Sequence, residues 1–77
     1  VRMGLGLRSA REFLGQRVNI HLTDGSVIVN VLLTQLSRDG GRGLLAYRVH
    51  RSKAGNSVEI PLEEVASLER VPREVLL

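Results

Sequence analysis

The residues able to do chemistry in this chain are few. His21 and His50 are its two histidines, and cysteine is absent. No Cys and no Ser-Asp pair accompanies either histidine, so the nucleophile–base–orienter set of covalent catalysis is missing. His21 lies in RVNIHL, alternating with apolar neighbours, which puts it on the outer face of a strand. Glu63 and Glu64 are adjacent. Neighbours on a strand point apart, whereas an acid/base dyad needs two converging carboxylates. GLG at 4–6 and GGRG at 40–43 lack the spacing of a phosphate loop, and no Cys/His cluster matches a metal site. The pattern predicts a non-catalytic protein with no cofactor and no metal.

Charge is the informative feature. Residues 38–53 hold Arg38, Arg42, Arg48, Arg51 and Lys53 against Asp39 alone, a net +4 with His50 in the same stretch. Residues 54–77 hold Glu59, Glu63, Glu64, Glu69 and Glu74 against Arg70 and Arg73, a net −3, within a chain of net +3. Guanidinium groups bind phosphate through two parallel hydrogen bonds and stack on bases. Arg38, Arg42, Arg48, His50, Arg51 and Lys53 are therefore the candidate RNA-binding residues. The usual aromatic platform for single strands is thin, because Phe13 and Tyr47 are the only aromatics. A solvated basic face, or complementary patches on adjoining subunits, would produce the same asymmetry. Glu59, Glu63, Glu64 and Glu69 are then candidates for meeting a basic protein partner.

The elements that must carry these residues centre on Arg17 to Leu36. Val18, Ile20 and Leu22 alternate with Asn19, His21 and Thr23, the period of a strand with one buried face. Asp24-Gly25 then reads as a two-residue hairpin turn in which both residues take φ > 0. Val27 to Leu36 reads as a long strand buried on both faces, with Val27, Val29, Val31 and Leu33 on one side and Ile28, Leu32 and Leu36 on the other. Before the hairpin, Ser9 and Glu12 form a capping-box pattern for a helix over Ala10 to Leu14, closed by Gly15. After it, Ser37 to Gly43 (SRDGGRG) reads as a glycine loop, Leu44 to Arg51 as a third strand and Ser52 to Asn56 as a turn. Ser57 to Leu62 reads as a fourth strand whose Pro61 marks an edge. Val65 to Val71 reads as a fifth strand.

One short helix followed by five short strands in 77 residues predicts a mainly β protein, a strongly bent antiparallel barrel. Residues 1–8 are expected to be a flexible arm, 9–72 the barrel and 73–77 a tail whose Val75, Leu76 and Leu77 dock on a neighbour. A domain of this size buries only about 60% of its unfolded surface, which favours self-association. No apolar run approaches the roughly 20 residues of a membrane-spanning helix. VRMGLGLR does not have the form of a signal peptide. The expected location is the cytoplasm, with no membrane partner.

The order and residues resemble the Sm-like family, which includes Sm, LSm and Hfq-type proteins. The resemblance covers residues 9–72: a short helix, a Gly-led first strand (LGQRVNIHL), an acidic-Gly turn (TDGS), a long bent second strand (VIVNVLLTQL) and a short strand–turn–strand (VEIPLEEVASLERVP). It implies a five-stranded SH3-like/Sm-like barrel that forms a homo-oligomeric ring and binds RNA. The chain departs from the family at several positions. Asn30 stands where the family carries Gly in mid-strand. Leu36 stands where it carries Asp, with no Asn following. Pro61-Leu62 and Glu63-Glu64 stand where it carries Arg-Gly or Lys-His. The uridine pocket is therefore not carried over, and low sequence specificity is expected. The rival expectation is a small-barrel protein-binding adapter or ribosome-associated subunit.

Overall fold

A computed structural model describes residues 6–49 and 57–72. Helix α1 (Leu7–Arg11) precedes strands β1 (Arg17–Leu22), β2 (Val27–Asp39), β3 (Arg42–Val49), β4 (Val58–Pro61) and β5 (Val65–Arg70), with a 3₁₀ turn at Leu62–Glu64. The strands form one antiparallel sheet in the order β4-β3-β2-β1-β5. β4 and β5 lie at opposite edges yet are three residues apart in the chain. Four inter-strand steps would separate the edges of a flat sheet by about 19 Å. The four residue steps from Pro61 to Val65 reach at most about 14 Å. The sheet must therefore curl.

Its concave side holds the core. Val18, Ile20, Leu33, Leu45 and Val65 are the largest fully buried side chains, joined by Ala10, Val31, Tyr47 and Leu62. Tyr47 belongs to this core and is not a platform for bases. Among the described residues, no helix is long and apolar enough to cross a membrane.

Several expectations are corrected. Helix α1 begins at Leu7, inside the stretch read as an arm, and Gly6 is its N-cap with no side-chain cap. The Ala10 N–H donates to the Gly6 carbonyl at 3.0 Å, so Ser9 lies within the helix. Packing outweighs the capping box: Ala10 is fully buried and Leu7 sits against the core. Gly15 does close the following turn, at φ +79, and its N–H donates to Leu33 O at 2.9 Å.

The first hairpin loop has three residues rather than two. Gly25 N–H donates to Leu22 O, and Leu22 N–H donates to Ser26 O. Of the central pair only Gly25, at φ +96, takes positive φ. Asp24 instead accepts from the Ser26 N–H at 2.8 Å and the Ser26 hydroxyl at 2.6 Å. These bonds hold the Asp24 carboxyl below its ordinary value, the hydroxyl bond contributing most. An acidic residue that accepts from a backbone two positions on is a local turn device in its own right.

β2 does not bury both faces. Val27 and Val29 are exposed, while Ile28, Val31, Leu33 and Leu36 turn toward the core. Two register breaks shift the phase. Val18 pairs with Val31 but Ile20 with Ile28, and Leu33 pairs with Tyr47 but Gln35 with Ala46. Each break inserts one unmatched residue in β2, which bends the strand and reverses the faces beyond it. Finally, 37–43 is not a loop. β2 and β3 run through it and join at Gly40-Gly41, both with positive φ.

Candidate nucleic-acid interface

The tight Gly40-Gly41 turn sets where the basic residues stand. Arg38 and Arg42 lie on paired strands flanking it, Arg38 opposite Gly43 and Arg42 opposite Asp39. Alternation puts Arg38 and Arg42 on opposite faces of the hairpin. Arg48 shares a face with Arg42, six residues along β3, about 20 Å away at strand rise. Arg38 is exposed and Arg48 half-buried. Arg42 is held in an ion pair, its Nη2 3.0 Å from Glu63 Oε2. The three described candidates are thus distributed over the hairpin and do not converge. His50, Arg51 and Lys53 lie outside the described residues.

The carboxylates are differently placed. Glu63 is committed to Arg42, which joins the start of β3 to the 3₁₀ turn. Glu69 Oε1 accepts from Asn19 Nδ2 at 3.2 Å and lies 3.1 Å from His21 Nε2. The His21 contact, then the Asn19 hydrogen bond, lower the Glu69 carboxyl below its ordinary value. Asn19 Oδ1 in turn accepts the Asn30 N–H at 2.8 Å. A polar chain therefore crosses β5, β1 and β2 on the outer face. Ser67 faces His21 in the register. Among the described residues, no group of three or more His, Cys, Asp or Glu is arranged to hold a metal ion. Glu59 and Glu64 are exposed.

One basic residue that the charge distribution passes over is held more firmly than these. Arg70, at the end of β5, lies over the Phe13 ring with its guanidinium carbon 5.1 Å from the centroid. Its Nε donates to Gln16 Oε1, and Gln16 Nε2 donates to the Glu12 carbonyl at 3.2 Å. Gln16 and Arg70 are 54 positions apart, and Arg70 lies in the segment whose net charge is negative. Neither composition nor short-range spacing points to them.

No family model matches the chain, and neither a curated protein nor a solved structure does.

Proposed function

We propose that the chain is a small Sm-like (SH3-like) barrel of the cytoplasm that assembles into a homo-oligomeric ring and binds RNA with low sequence specificity, without catalysis. The observation that carries this reading is the sheet order β4-β3-β2-β1-β5, with the two edge strands joined by only three residues. A curled sheet of that order is one step from a closed barrel. Its β4 and β5 edges each have one partner strand among the described residues. An unpaired edge recruits a strand from another chain. β5 of one copy on β4 of the next is a heterologous contact that closes into a ring when the rotation permits. The mid-strand position where the Sm-like family carries Gly holds Asn30 at φ 54, the backbone state Gly favours. The exposed Arg38 and the half-buried Arg48 on the β2–β3 hairpin supply charge for phosphate.

A protein-binding adapter or ribosome-associated subunit is the second reading. The exposed Val29 (65%) and Val49 (58%) favour it, because aliphatic surface serves protein contacts better than phosphate.

Light scattering and RNA retention test the proposal together. A particle of several subunits that retains single-stranded RNA at low salt, and releases it as salt rises, supports it. A monomer mass at micromolar concentration removes the ring. A particle that retains no RNA at low salt leaves the adapter.

A further inference from the structure

We propose that Arg70 is a phosphate contact for RNA, its guanidinium pre-set by Phe13 and Gln16. The inference deepens the RNA-binding reading and rests on it.

The geometry does three things at once. Phe13 supports one face of the guanidinium at 5.1 Å, an arrangement that favours the cation electrostatically. Gln16 Oε1 accepts from Nε, and Gln16 is itself fixed by its bond to the Glu12 carbonyl. The rotation of the group about its stem is thereby restricted from two sides. Nη1 and Nη2 have no hydrogen-bond partner among the described residues, and Arg70 is exposed. A planar fork with its remaining donors facing water matches the paired oxygens of a phosphate. Because the side chain is already ordered, little rotamer freedom is lost on binding.

Among the described residues, no carboxylate forms an ion pair with it. Glu69, the preceding residue, is turned to His21 and Asn19 on the outer face. Arg42, by contrast, already has a carboxylate at 3.0 Å, so phosphate must displace Glu63 to use it. Arg70 is therefore a better-prepared phosphate ligand than the Arg42 that charge counting selects. The backbone keeps it at a defined place: Arg70 pairs with Val18, and the Val71 N–H donates to Arg17 O at 3.1 Å.

The test is fluorescence anisotropy of a labelled single-stranded oligouridylate with the full chain, over a range of salt. The wild type is expected to bind. Arg70→Ala is expected to bind about tenfold more weakly, with the salt slope shallower by about 0.7 per contact. Arg70→Lys keeps the charge but not the fork, so it should retain the slope and still lose affinity several-fold. Gln16→Ala frees Nε and should weaken binding without changing the slope. Melting temperatures are measured alongside, since a merely structural cluster would lower them and leave RNA affinity untouched. Wild-type affinity in Arg70→Lys and Gln16→Ala, with wild type binding, overturns this inference and leaves the RNA reading standing. Failure of the wild type to bind overturns the RNA reading and this inference with it.

Discussion

The backbone N–H of Asn30 donates to Oδ1 of Asn19 at 2.8 Å, at the point where one residue of β1 faces two of β2. The extra residue leaves a ladder donor unmatched, and the Asn19 side chain supplies the missing acceptor. Asn30 sits at φ 54, and its own Oδ1 is buried without a hydrogen-bond partner. Two demands therefore meet at Asn30: a left-handed backbone and a desolvated amide oxygen.

Substitution at Asn30 separates those demands. Asn30→Ala should destabilise by about 1–2 kcal/mol, the left-handed penalty of a residue with a Cβ and no local polar group. Asn30→Gly removes both the penalty and the unpartnered oxygen, so its melting temperature should exceed that of Asn30→Ala by several degrees. Asn19→Ala should cost about 1 kcal/mol or more by leaving the Asn30 N–H unpaired. Thermal denaturation of the three variants decides. Equal melting for Ala and Gly at position 30 would show that the backbone there relaxes freely.

Gly25 is the second backbone test. At φ +96 it closes the three-residue loop, with open space around the position of a Cβ. Any loss on substitution is therefore conformational and not steric crowding. Gly25→Val should destabilise by about 1 kcal/mol or more, because a β-branched residue resists that region. An unchanged melting temperature contradicts the loop geometry.

Alternation in RVNIHL read β1 correctly, because β1 is regular enough at Val18 and Ile20 for the period to match the fold. The same reasoning misassigned the faces of β2. A bulge costs one residue of phase and leaves no mark in a period-2 count, so the count puts Val27 and Val29 with Val31 and Leu33 although the bulge at Val29-Asn30 separates them. The loop expected at 37–43 fails for a related reason. Gly40 and Gly41 do serve a turn, whereas Gly43 is a strand residue needed for close packing. Candidate phosphate ligands were legible only where they cluster in sequence. Arg38, Arg42 and Arg48 do so yet diverge in space, while Phe13 and Arg70 meet only through the β1–β5 pairing.

Gly43 lies beneath Leu62 and Leu7. A Cβ there would stand 2.7 Å from Leu62 Cδ1 and 3.3 Å from Leu7 Cγ. Leu62 is 4% exposed, so its methyl cannot swing into solvent without opening the core. Gly43→Ala should destabilise by about 1–3 kcal/mol through overpacking. Leu62→Val shortens the obstructing side chain, so the double variant should be more stable than the sum of the two single losses predicts. A denaturant double-mutant cycle measures this, and strict additivity would mean the two residues do not meet.

Glu69 gives the fold a pH dependence whose sign follows from its contacts. Hydrogen bonds from His21 and Asn19 lower its pKa from the ordinary 4.5. A carboxylate with a depressed folded pKa binds protons more readily in the unfolded chain. Its stabilisation is therefore complete above the unfolded value and is lost as pH falls below 4.5 through the folded value. Glu69→Gln cannot titrate at this position. Wild type should melt higher than Glu69→Gln near neutral pH, and the gap should close as pH drops into the acid range. The exposed position of the pair, with His21 39% and Glu69 60% accessible, keeps the gap small and salt-sensitive. Asp24 titrates in the same window, its pKa lowered from 3.8 by Ser26, so both chains retain some acid sensitivity. Melting curves of the two proteins from neutral pH down to about pH 3 make the comparison. A gap that stays constant across that range would mean Glu69 stabilises β5 without its charge.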